Sequence, residues 1–152
     1  MKTLTRIALI VAAIAFLLPV ASQNVDAQGK HPAYLHALSD LREARAYLQR
    51  PDGGALHAEE SAAIAEINHA IDEIKRAAID DGKNIDDHVH IDAHLGWTGR
   101  LHKSRELLDK AHHDVTEEED NPAAQGLQGR VIMHIDRAHH HVDDAIAIVE
   151  TH

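Results

Sequence analysis

Fifteen histidines in 152 residues are the strongest chemical bias of this chain. Imidazole is the commonest metal ligand and the side chain that titrates nearest neutral pH. Spacing then decides which histidines can act together. The best-spaced set is Asp87-x2-His90-x3-His94. On a helix only i, i+3 and i+4 neighbours share a patch, and these three fall within about 60° of one another. Two imidazoles four residues apart beside a carboxylate match the ligand sets of zinc, nickel, copper(II) and iron(II). The plainer reading is a pair of half-buried histidines hydrogen-bonded near a helix start.

Other histidine patterns are weaker. His139, His140 and His141 are consecutive, so on a helix they point about 100° apart and cannot chelate one ion. Asp136, Asp143 and Asp144 stand three or four residues from members of that run, as on a solvated, charge-paired face. His134 and His141 share a flank but are separated by about 10 Å along a helix axis. A di-iron centre needs inward Glu-x-x-His motifs on two helices and inward carboxylates on the others. Glu66-x-x-His69 lies away from its apolar stripe, Asp136-x-x-His139 sits at the edge of its own, and Asp109-x-x-His112 falls near a helix end. The chain has no HExxH, GxSxG, Walker or GxGxxG motif, and residues 80–84 lack the acid spacing of a calcium loop. The acidic run DVTEEED at 114–120 reads as a solvated loop.

Composition removes whole function classes. With no cysteine there is no disulfide scaffold, thiolate metal site, iron–sulfur cluster or cysteine nucleophile. Four aromatic residues and a net charge of −10 speak against base stacking and phosphate binding, so no nucleic-acid partner is expected.

The elements that must position these residues are helices. Lys2 and Arg6 precede a 14-residue apolar run over 7–20, a signal-peptide length that is short of the roughly 20 residues of a membrane span. Residues 1–27 are therefore expected to be a signal peptide cut after Ala27, with a cut after Ser22 as the runner-up. Removing them takes away Lys2, Arg6 and Asp26 and leaves a mature charge of −11. The mature chain, 28–152, should form one domain with no membrane span. Apolar residues then recur at helical spacing over about 32–49, 56–80, 85–113 and 122–149. Their stripes include Leu38, Leu41 and Leu48; Ile67, Ile71 and Ile74; Val89, Trp97, Leu101 and Leu108; and Val131, Ile135 and Val142. Pro32 and Asn121-Pro122 suit helix starts, and Pro51-Asp52-Gly53-Gly54 and Gly82 suit helix stops. No period-2 run persists. Short links between long helices favour antiparallel neighbours, so the expected fold is all-α, an up-down-up-down four-helix bundle. A shift of 60 aligns Leu41, Arg45 and Leu48 with Leu101, Arg105 and Leu108, and a shift of 68 aligns Ile64 and Ile67 with Ile132 and Ile135. Those shifts hint at two similar hairpins, although most are stripe positions that any two amphipathic helices share.

The stretches HPAYLHALSDLREARAYL at 31–48 and AAIDDGKNIDDH at 77–88 resemble a group of small exported, histidine-rich helical-bundle proteins of bacteria. The resemblance spans most of the mature chain. It implies export and a helical fold, and it brings over no catalytic or binding residue. The resulting expectation is a periplasmic or secreted, non-enzymatic bundle. Asp87, His90 and His94 would hold a divalent transition metal (copper, zinc or nickel). The alternative is a structural or envelope-stress interaction protein, with an envelope protein as partner and a pH-responsive histidine-rich surface.

Overall fold

The computed structural model describes residues 32–50, 58–80, 91–117 and 125–151. Four helices make up nearly all of them: α1 (Pro32–Leu48), α2 (Ala58–Asp80), α3 (Trp97–Glu117) and α4 (Gln125–Glu150). No strand occurs among the described residues. None of the four helices is long and apolar enough to cross a membrane. The proposed signal peptide lies outside the described residues.

The apolar stripes meet in one core. Leu38, Leu41 and Leu48 of α1 pack with Ile67, Ile71 and Ile74 of α2, Leu101 and Leu108 of α3, and Val131, Ile135 and Val142 of α4. Each is 2 % exposed or less. Alanines at 37, 44, 63, 70, 111 and 138 are fully buried between them, so large side chains interleave with small ones, as a close-packed interior requires.

The bundle is present, and the order of helix directions differs from strict alternation. α1 and α4 each pack against both α2 and α3, while α1/α4 and α2/α3 face each other across the diagonals. Side-chain contacts set the directions. Ser104 of α3 donates to the Ala44 carbonyl of α1 at 3.2 Å, and Arg50, just past α1, reaches the carbonyls that precede α3. α1 and α3 are therefore antiparallel. Glu59, Glu66 and Glu73 of α2 meet His141, His134 and Arg130 of α4 in reverse order, so this pair is antiparallel too. His102, Asp109 and His112 of α3 meet Glu150, His139 and Asp136 of α4 in the same reversed sense. The directions run up, down, down, up, with α2 and α3 parallel.

The reason lies in the start of α3. The sequence pattern places it at residue 85, but the helix begins at Trp97. The link after α2 is thus sixteen residues rather than four. Such a link reaches up to about 53 Å, and α2 itself, at 23 residues, is about 34 Å long. The connection can therefore join opposite ends of the bundle. Residues 91–96 are not helical because their carbonyls are already taken. The Arg50 guanidinium donates to the carbonyls of Asp92, Ala93 and Leu95, which in a helix would accept from N–H groups four residues on. Tyr47 Oη accepts from the Asp92 N–H at 2.8 Å, and Asp92 Oδ1 accepts from the His94 N–H at 2.8 Å. The helix proper opens with the Arg100 N–H on the Gly96 carbonyl at 3.0 Å.

With this connectivity each helix packs on its aligned counterpart. Ala44 and Ser104 are equivalent under the shift of 60 and touch. Glu66 and His134 are equivalent under the shift of 68 and touch. Contacts between equivalent positions are what a two-fold arrangement of hairpins produces.

Leu41→Ala should lower stability by about 2–5 kcal/mol, because a filled site at the bundle axis becomes a cavity. Met133→Ala, at a position 38 % exposed, should stay within about 0.5 kcal/mol of the parent. Urea unfolding followed by circular dichroism compares the two.

Candidate metal centre on the α2·α4 seam

α2 carries three glutamates at heptad spacing: Glu59, Glu66 and Glu73. They flank the buried Ile67, Ile71 and Ile74 row, so each sits at the edge of the core, facing α4. α4 answers with His141, His134 and Arg130. His134 Nδ1 is 2.6 Å from Glu66 Oε2, with both side chains largely covered. The His69 ring stacks on His134 with centroids 5.1 Å apart. Arg130 donates from Nε and Nη2 to Glu73 Oε2 at 3.1 and 3.0 Å. These hydrogen bonds hold the Glu73 carboxyl below its ordinary range, against the opposing effect of burial.

The upper rung differs from the other two. His141 Nδ1 is 2.7 Å from Glu59 Oε2. Asp144, one turn further along α4, joins them, and one ligand atom from each of Glu59, His141 and Asp144 lies within 4.8 Å of the others. All three are partly buried. An ion bound at about 2.0–2.2 Å from each donor needs them no more than about 4.4 Å apart, so atoms within 4.8 Å of one another need close by only a few tenths of an ångström. His140 Nε2 stands 3.6 Å from Asp144 Oδ2 on the outer side. One nitrogen and two carboxylates suit a borderline divalent ion and leave coordination positions for water.

The sequence-predicted set fares differently. Asp87 and His90 lie outside the described residues. His94 is exposed and sits in the turn before α3, not on the helix. The helical spacing that joined it to Asp87 and His90 therefore does not apply at His94: Arg50 and Asp92 hold the backbone there in another shape. Glu59 was missed, because only docking of α2 on α4 brings it to His141. Half of the signal was in the sequence. His141-x-x-Asp144 has the i, i+3 spacing of two ligands on one helix, hidden inside the run of three histidines.

Trp97 is the only tryptophan. Its indole N–H donates to Glu60 Oε1 at 2.7 Å, one residue along the chain from Glu59. No known protein family, curated protein or solved structure matches this chain.

Arg130→Gln should flatten the acid limb of the stability curve. Glu73 is held below its ordinary value in the fold, so its contribution is present at pH 7 and is lost as pH falls through the folded value. The variant should therefore melt below the parent at pH 7, by no more than about 1 kcal/mol, and the gap should narrow towards pH 3. Thermal melts at both pH values measure it.

Proposed function

We propose that this chain is an exported, non-enzymatic metal-binding bundle that holds one divalent transition ion (zinc, copper(II) or nickel) between Glu59, His141 and Asp144. The observation that carries the reading is the approach of three ligand atoms from two helices to within 4.8 Å of one another. The chemistry of the set agrees with it. Two carboxylates balance the charge of a divalent cation, and an imidazole selects borderline metals over calcium and magnesium. The chain carries a net charge of −10, which draws cations towards it. The ion would bridge α2 to α4, so binding would also fasten the seam. Export rests on the basic start and apolar run at the N-terminus.

A second reading has its own observation. Five histidines face carboxylates across a seam between helices: His102, His112, His134, His139 and His141. That pattern also suits a structural envelope protein whose surface charge follows pH, with no metal at all. Metal uptake separates the two.

Trp97 is the built-in reporter, since its hydrogen-bond partner adjoins Glu59 in the chain. Copper(II) added to the protein should quench Trp97 emission saturably, and zinc should compete and restore it. His141→Ala with Glu59→Gln should abolish the tight phase. His90→Ala with His94→Ala should leave it intact. The reverse pair of outcomes would assign the ion to Asp87, His90 and His94. Quenching that is weak and merely proportional to the number of histidines would leave the structural reading standing.

A further inference from the structure

The first turn of α2 faces two ways. Glu59 reaches α4, where its Oε2 lies 2.7 Å from His141 Nδ1. The next residue, Glu60, turns into the bundle and is 4 % exposed. Its Oε1 accepts from the Trp97 indole N–H at 2.7 Å. Consecutive helical side chains point about 100° apart, so two adjacent glutamates serve two different helices. Trp97 is the first residue of α3, which lies diagonally across the bundle from α2. The Glu60–Trp97 hydrogen bond therefore ties together two helices that do not pack as neighbours.

Both ends of that bond sit where a helix is held least by its own backbone. α2 opens at Ala58, and the N–H groups of a first helical turn have no intrahelical acceptor. Such turns open locally at a much lower free energy than a core does. Ala63, Ile67 and Ile71 are buried and anchor α2 from there on. Glu59 and Glu60 belong to the turn before that anchor, so fraying that takes one from α4 also takes the other from Trp97. On the α3 side, the Arg100 N–H closes the first turn on the Gly96 carbonyl at 3.0 Å. Arg100 Nη2 also donates to the Arg50 carbonyl at 3.2 Å, and the Arg50 guanidinium donates to the carbonyls of Ala93 and Leu95. Trp97 thus leads directly into the network that fixes where α3 begins.

We infer that occupancy of the Glu59, His141 and Asp144 set is relayed to the start of α3 through the Glu60–Trp97 hydrogen bond. The inference rests on the metal-binding reading of that set. An ion on the three ligands clamps the first turn of α2 to α4 and suppresses its fraying. Glu60 is then held against the indole, and Trp97 steadies the first turn of α3. The element with two states is the first turn of α2, formed or frayed. The ion finds its full ligand set only in the formed state, so it shifts the population towards that state. Coupling of this kind is reciprocal. Loss of the Trp97 bond therefore weakens metal binding, although neither Trp97 nor Glu60 is a ligand.

Hydrogen exchange followed by NMR on the full chain, with and without saturating zinc chloride, tests the relay, and calorimetry measures zinc uptake alongside it. The two readouts are the Trp97 indole N–H, a single resonance because Trp97 is the only tryptophan, and the Arg100 backbone N–H. In the parent, zinc should slow both by about fivefold or more. Glu59→Gln with His141→Ala should remove zinc uptake and the slowing together. Trp97→Phe keeps an aromatic ring and loses the donor. It should still take up zinc, about fivefold more weakly, and its Arg100 N–H should exchange at one rate with or without zinc. Glu60→Met removes the acceptor at similar volume and should behave in the same way, so the result does not hang on one variant folding well. Slowing at Arg100 that survives in both Trp97→Phe and Glu60→Met would overturn the relay. Zinc uptake by the parent with no slowing at Trp97 or Arg100 would overturn the relay alone, whereas no uptake by the parent would overturn the metal site and the relay with it.

Discussion

The antiparallel docking of α4 depends on its charged edges. An apolar stripe of Val131, Ile135, Ala138 and Val142 fits a facing stripe in more than one register, since hydrophobic contact is not directional. Edge pairs remove that freedom, as charged edge positions do in coiled coils. On one side Glu59, Glu66 and Glu73 receive His141, His134 and Arg130. On the other, Arg105 and Asp109 of α3 meet Asp143 and His139. The pairs range from largely covered, as at His134 and Glu66, to half exposed, as at Arg105 and Asp143, and the exposed ones are worth little alone. Together they fix direction and register, because a slip of one residue would separate every pair. Candidate metal ligands arise as a consequence. A seam locked by imidazole–carboxylate pairs already holds the donor atoms that a divalent ion needs.

The core was legible in the sequence, and the seams were not. Helical spacing identified Leu38, Leu41, Ile67, Ile71, Leu101, Leu108, Ile135 and Val142 as buried, because period and burial are linked within one helix. Pro32 marked the start of α1 for the same local reason. The start of α3 was misplaced by twelve residues. The apolar period in the sequence runs through 85–96 unbroken, and the group that takes up the carbonyls just before α3, Arg50, is more than forty residues away in the chain. That error carried into the connectivity, since a four-residue link permits only adjacent antiparallel helices.

The contacts across the seams are hidden from the sequence for the same reason. Asp109-x-x-His112 and Asp136-x-x-His139 are visible as motifs, but their pairing with each other is not. Their partners lie across a surface groove, and no single-helix argument finds a contact that needs two helices docked in register. The side chains from His139 to His141 diverge, as helical geometry requires. His139 turns to α3 and His141 to α2. Divergence rules out one ion shared by the run and leaves His141 to meet Glu59.

On the proposed reading the metal ligands would sit at the rim of the apolar core, where the three side chains are only partly buried. An ion bound only by the folded state stabilises it by about 2.7 kcal/mol at a hundredfold excess over its dissociation constant. Metal supply and bundle tightness would then be coupled through α4. Anomalous diffraction at the zinc edge, from crystals of the full chain grown with zinc, shows whether Glu59, His141 and Asp144 converge on one ion. An anomalous peak is expected between Glu59, His141 and Asp144, at about 2 Å from each ligand atom. Zinc-loaded crystals with no peak there, or with peaks only at exposed single histidines such as His140, would contradict it.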